Sequence, residues 1–242
     1  MCTVTYIPAP DKVILTSNRD EKHGRSPAIA PAVYDLSSGK VLFPKDADAG
    51  GTWIAAHENG HAIVFLNGGW VAHTPQPPYR RSRGLILLDL LNSTMPYQHF
   101  QTIPLDNIEP FTAIIWQDGQ LYECRWDGQQ KYQLALDTAQ PYIWSSVTLY
   151  DETVIARRKQ WFENWLARHR RPFQEDILDF HQFAGDGDSH NDVLMNRNGQ
   201  VFTVSVTSLA IGDDQMDMRY LDLKSKQAYT SDLFIEKTMM LP

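Results

Sequence analysis

The chain has 242 residues, 43% hydrophobic and 21% charged, with a formal net charge of -7. This is a globular composition, long enough to bury a sizeable core, and it excludes a disordered chain or a small scaffold that needs staples. The acidic balance and the lack of a long Lys/Arg run argue against a nucleic-acid partner; Arg80, Arg81 and Arg83 form the densest early basic cluster.

In chain order, the first third reads as short strands. Thr3 to Ile7 and Lys12 to Thr16 flank a Pro8 to Asp11 turn. Val33 to Leu36 and Val41 to Phe43 flank Ser37-Ser38-Gly39, and Thr52 to Ala56 and Ala62 to Leu66 flank a turn containing Asn59-Gly60. A dense apolar stretch from Gly84 to Leu91 predicts the first helix. Thr112 to Trp116 and Leu121 to Trp126 predict a hairpin around Asp118-Gly119, extended by Lys131 to Leu136. Apolar residues Val154, Ile155, Trp161, Phe162, Trp165 and Leu166 recur at helical spacing and predict a long helix from Glu152 to His169. Ile177 to Phe183 predicts a short helix, and Val201 to Thr207 and Met218 to Leu223 predict closing strands. Hairpin-built strands with segregated helices make an α+β domain of two antiparallel sheets with helices outside, expected to span residues 1–242 as one unit.

No apolar run approaches the roughly 20 residues that span a bilayer, and Pro8, Pro10, Asp11 and Lys12 interrupt any leader-like segment. No membrane span is expected, and the mature chain is expected to start at or near residue 1. Two cysteines, Cys2 and Cys124, make no disulfide framework and fit a reducing, cytoplasmic compartment.

Cys2 has an unusual chemical option. Once Met1 is removed, its thiol and its own α-amine sit on one residue; the amine titrates near pH ~8 and the thiol near ~8.5, so the amine accepts the thiol proton without a histidine. Against this stands the common case of a small buried cysteine. The tetrapeptide Asn18-Arg19-Asp20-Glu21 follows the apolar strand Val13 to Leu15, as a charged rim at a sheet end or as a solvated turn. Arg19, permanently charged, suits lowering a thiol pKa or holding a carboxylate, and Asp20 suits hydrogen bonding to a terminal ammonium.

Met1-Cys2, Ser17 to Glu21, Gly50-Gly51-Thr52-Trp53-Ile54 and the strand Gly60 to Asn67 together resemble the NRDE family, the relatives of transport and Golgi organisation protein 2. That family is similar to the cysteine branch of the N-terminal-nucleophile (Ntn) hydrolases. The resemblance implies a four-layer α-β-β-α sandwich. It implies Cys2 as nucleophile and base, Arg19 and Asp20 near it, Asn67 at an oxyanion site, and Arg197 as a late arginine of the site. It also implies hydrolysis of a small amide or acyl substrate without a cofactor; the alternative is non-catalytic haem or acyl-lipid binding and trafficking through the same pocket. Where relatives carry a second oxyanion asparagine, this chain reads Trp144-Ser145-Ser146-Val147. Losing that donor costs about 3 kcal/mol of transition-state stabilisation unless another group, such as Ser146, replaces it.

Other features carry less. Asp186 to Asp192 is rich in oxygen ligands but lacks the glycine and closing glutamate of an EF-hand loop. His57 and His61 flank a hairpin turn with no third ligand, so no metal is expected. Trp161, Phe162 and Trp165 read as core. No nucleophile elbow, P-loop or dinucleotide fingerprint is present.

Overall fold

The protein is described by a computed structural model covering residues 3–236. In chain order the elements are β1 (Thr3–Ala9), β2 (Lys12–Lys22), β3 (Ile29–Leu36), β4 (Gly39–Lys45), β5 (Ile54–His57), β6 (Ala62–Asn67), α1 (Arg83–Leu91), α2 (Pro96–Thr102), β7 (Phe111–Gln117), β8 (Gln120–Trp126), β9 (Lys131–Leu136), β10 (Tyr142–Ser145), α3 (Glu152–Arg168), α4 (Gln174–Phe183), β11 (Asn196–Arg197), β12 (Val201–Ile211), β13 (Gln215–Asp222) and β14 (Gln227–Phe234). One sheet runs β10-β1-β2-β12-β13-β14, with β11 beside β12, and the other runs β3-β4-β5-β6-β7-β8-β9. The pairings are antiparallel. This is the expected α+β sandwich.

Strand alternation assigns the layers. Val4, Tyr6, Leu15 and Leu209 of the first sheet meet Leu42, Ile54, Val64 and Ile114 of the second in a shared core. On the first sheet's outer face Ile7, Ile14 and Ala210 pack against Phe162 and Trp165 of α3 and Ile177 and Phe180 of α4. On the second sheet's outer face Val41, Ile63, Phe65 and Ile115 pack against Ile86, Leu87 and Leu90 of α1 and Phe100 of α2. Each such side chain contributes about 1.5–3 kcal/mol on burial, so both sheets are held from two sides. Helix α3 begins where the Asp151 side chain accepts the Val154 backbone N–H at 2.9 Å.

Besides shifted element ends and the two-residue β11, the structure departs from the sequence reading in four places. The short helix α2, with Pro96 in its first turn, has only seven residues and two buried side chains, too few for a periodic signal. Strand β10 has four half-buried residues, and β14 is largely exposed, so neither shows clean alternation. The fourth departure matters most. Strand β2 does not stop at Thr16 but continues through Asn18-Arg19-Asp20-Glu21 to Lys22. Paired with β12 along its length and with β1 at Asn18, the tetrapeptide is strand rather than turn, and Asn18, Arg19 and Asp20 are buried.

Candidate active site

Because side chains alternate along a strand, Arg19 and Asp20 point to opposite faces of the first sheet. Arg19 faces the second sheet. Its guanidinium lies 4.7 Å from the centre of the Trp53 ring, and its Nη2 meets Asp46 Oδ2 at 3.0 Å and Glu21 Oε1 at 3.4 Å. Asp46, in the loop after β4, is fixed in turn. Its Oδ1 accepts the Asp48 and Ala49 backbone N–H groups at 3.0 and 2.8 Å, and Arg25 donates to Oδ2 at 2.7 Å. Burial pushes the Asp46 carboxyl up, but the Ala49 hydrogen bond and the Arg25 and Arg19 charges outweigh it and hold it below the ordinary range.

Arg19 and Asn67 line one cleft of about 390 Å³, together with Trp53, Asp46, Arg83 and Glu109. Arg83 Nη2 pairs with Glu109 Oε2 at 3.0 Å. The Gly-Gly-Thr-Trp motif supplies part of this lining. A Cβ on Gly51 would stand 2.4 Å from the backbone carbon of Gly84, and one on Gly84 would stand 2.8 Å from the Thr52 nitrogen. Two glycines thus let the entry of α1 lie directly on the loop before β5. Thr52 locks the loop by donating its hydroxyl to the Pro44 carbonyl at 2.7 Å.

Asn67 ends β6, opposite Phe111 of β7. Its backbone carbonyl accepts the Ser146 hydroxyl at 2.8 Å, and Ser146 is 1% exposed. The Ser146 proton is therefore committed to holding Asn67, which argues against Ser146 as the replacement oxyanion donor. The next residue, Gly68, has φ +87°, and a Cβ there would collide with Val147 at 2.5 Å, so the chain turns away from Asn67 without obstructing it.

Asp20 and Arg197 do not reach this cleft. Asp20 accepts hydrogen bonds from Tyr150 at 2.8 Å and Thr203 at 2.6 Å on the helix-covered face of the sheet. Arg197 donates to the carbonyls of Leu149 and His190 and lies 5.3 Å from the centre of the Tyr150 ring. The expectation that Arg19, Asp20 and Asn67 surround one pocket is thus corrected: alternation along β2 sends Asp20 to the other side, where Arg197 joins it around Tyr150. Cys2 lies outside the described residues. Its bonded neighbour Thr3 pairs with Asn18 on one side and Ser145 on the other. The next residues on those flanking strands are Arg19 and Ser146.

Three residues of this region carried no expectation. Asp46 sits in an unremarkable acidic loop. Tyr150 lies between elements. Arg158 occupies the stripe Val154, Arg158, Phe162, Trp165 that α3 buries, so an arginine on an apolar face was the available signal. His57 meets Ser38 and His61 meets Asp118, side-chain bonds that brace the β5–β6 turn. Cys124 is fully buried, and burial pushes its thiol up to about 12.

The family model for Transport and Golgi organisation 2 matches residues 1–226. The chain belongs to that family. No curated protein sequence matches this family member. Among solved structures, it is similar to the C2A mutant of conjugated bile acid hydrolase from Clostridium perfringens, with TM-score 0.58 and 9% identity over 98% of this chain and 97% of that one. Another variant of the same hydrolase gives TM-score 0.59 and 10% identity over 100% and 98% of the two chains. An N-acylethanolamine-hydrolyzing acid amidase orthologue from Caenorhabditis elegans gives TM-score 0.56 and 11% identity over 86% and 92%. At these identities the likeness establishes the Ntn-hydrolase fold. No helix among the described residues is long and apolar enough to cross a membrane.

Proposed function

We propose that this member of the Transport and Golgi organisation 2 family is an N-terminal-nucleophile amidohydrolase that cleaves a small amide or acyl substrate through Cys2. The observation that carries the reading is the convergence of Arg19 and Asn67 on one cleft, with Arg19 next along β2 from Asn18, the strand partner of Thr3. The C2A mutant of the similar hydrolase exchanges a cysteine numbered 2 for alanine, which supports attention to Cys2 here.

In this reading removal of Met1 frees the α-amine of Cys2. The amine takes the thiol proton as sulfur attacks the substrate carbonyl carbon. The Asn67 side-chain amide donates to the oxyanion as it forms, stabilising the tetrahedral intermediate. The C–N bond breaks, the leaving amine takes the proton from the α-amine, and a thioester remains on Cys2. Water, deprotonated by the same amine, cleaves the thioester, releasing the acid and restoring the thiol. Arg19, pinned by Asp46 and Glu21, orients polar substrate groups in the cleft. Asp20 holds Tyr150 and Thr203 from behind the sheet and touches no substrate.

The test is turnover of a panel of N-acyl amino acids, other N-acyl amides and acyl thioesters by the wild type and by Cys2→Ala. Hydrolysis that vanishes in Cys2→Ala, with an unchanged circular dichroism spectrum, is expected. Reversible binding of haem or an acyl-CoA that is unaffected by Cys2→Ala, with no turnover of the panel, would replace this reading with that of a carrier.

A further inference from the structure

Behind the first sheet lies a charge that the proposed chemistry does not yet use. Arg158 of α3 is fully buried. Its Nε and Nη2 donate to the backbone carbonyls of Asn191 and Asp192, its Nη1 donates to the Thr3 hydroxyl, and its guanidinium stacks 3.6 Å from the centre of the Tyr150 ring. Every one of these partners is neutral, and among the described residues no carboxylate lies within ion-pair distance of it. A buried cation without an anion costs several kcal/mol, so its retention calls for a compensating role.

The surroundings leave the charge unquenched. Asp20 of β2 is linked to it through Tyr150, whose hydroxyl donates to Asp20. Arg197 of β11 lies over the same ring and adds a second cation. His181 of α4 is buried beside Thr5. In the 185–192 loop, the Asp192 carboxylate is turned to the Asp186 backbone, and Asp188 is near Arg157 rather than Arg158. Across the sheet Arg19 is already compensated by Asp46 and Glu21. Desolvation and then the Arg158 charge push His181 down to about 3, and His181 bonds Thr5, two residues along β1 from Thr3.

We propose that Arg158 is a positioning residue for Cys2: its buried, uncompensated guanidinium fixes Thr3, the residue bonded to Cys2, and its positive field favours the Cys2 thiolate and the uncharged α-amine. A nearby cation lowers the pKa of a thiol by stabilising its anion and lowers that of an amine by opposing its cation. The first shift eases loss of the thiol proton, and the second keeps the α-amine uncharged so that it can take that proton near neutral pH. The inference rests on reading Cys2 as a nucleophile, but its test reads ionisation rather than turnover.

The experiment is the rate of iodoacetamide alkylation of Cys2 against pH, followed by peptide-resolved mass spectrometry; the buried Cys124 thiol gives little background. In the wild type the midpoint should lie at least about one pH unit below the ordinary thiol value of ~8.5. In Arg158→Met it should rise by about one unit, which lowers the rate at neutral pH roughly tenfold. Arg158→Lys, which keeps the charge but loses the fork of hydrogen bonds, should retain the low midpoint even where its thermal stability falls. A wild-type midpoint at or above ~8.5 overturns the proposal without any variant. So does an Arg158→Met profile that superimposes on the wild type, or an Arg158→Lys profile that follows Arg158→Met. If the midpoints behave as expected while no substrate of the panel is hydrolysed, the amidohydrolase reading fails and the role of Arg158 stands.

Discussion

Replacing Asp46 by Asn removes one charge while keeping a side-chain oxygen to cap the loop at Asp48 and Ala49. The charge lost is the main partner of Arg19, which is 3% exposed, and Asp46 itself is 12% exposed at the side chain. Stripping the partner from a buried ion pair costs about 3–5 kcal/mol. Glu21 stays 3.4 Å from Arg19 and keeps part of its charge paired, so a loss of about 2–3 kcal/mol is expected at pH 7. In a chain of this length that lowers Tm by about 4–12 °C. The pH dependence carries a definite sign. The folded carboxyl of Asp46 is held below its ordinary value, so its stabilising contribution is complete above about pH 4 and fades as pH falls through the depressed folded value. Calorimetry of both proteins between about pH 3 and 8 should therefore show a gap that is constant above about pH 5 and closes on acidification. A variant within about 1 °C of the wild type at pH 7, or a gap that widens in acid, would refute the view that Asp46 anchors Arg19.

Gly51→Ala pushes a methyl into the Gly84 backbone and should cost about 1–3 kcal/mol in urea unfolding, with loss of cleft ligand binding, whereas Gly24→Ala, which meets nothing within 4 Å, should cost far less. Asn67→Ala should leave the fold intact and lower kcat about 10²–10³-fold if its amide meets the oxyanion, and a change confined to KM would assign it to ground-state binding instead. Tyr150→Phe leaves a buried Asp20 oxygen short of a donor and should cost about 1–3 kcal/mol by denaturant titration. Neutral His181, buried and held down to about 3, must take a proton in order to unfold in mild acid, so stability should decline as pH falls below about 6.5, and His181→Gln should flatten that decline.

The sandwich was legible because its hairpins announce themselves. Asn59-Gly60 and Asp118-Gly119 sit between strands whose apolar residues alternate or run together, and α3 shows its stripe over seventeen residues. The edges were not legible. In β14 one residue, Leu233, is buried, and a strand that buries so little imposes no pattern on its sequence. The site was half legible for a related reason. Three charges in Asn18 to Glu21 look like solvated turn chemistry, yet ion pairing and hydrogen bonding inside the fold let them continue a central strand. Once the tetrapeptide is strand, the period of two separates Arg19 from Asp20, a consequence that motif spacing alone does not reveal. Asp46 is visible only in three dimensions, because what marks it is its partner, and Arg158 shows in the sequence only as an arginine on the apolar stripe of α3.

The central claim is that Cys2 carries the acyl group, and trapping that intermediate tests it most directly. The wild type is mixed with N-acyl amino acids, other N-acyl amides or acyl thioesters, quenched in acid at short times, and its intact mass and N-terminal peptide are measured. The account predicts loss of Met1 from the purified protein. It further predicts an acyl mass increment on Cys2 that rises and then decays as free acid is released, and that is absent in Cys2→Ala. A protein that retains Met1 quantitatively and forms no adduct with any member of the panel would contradict the account.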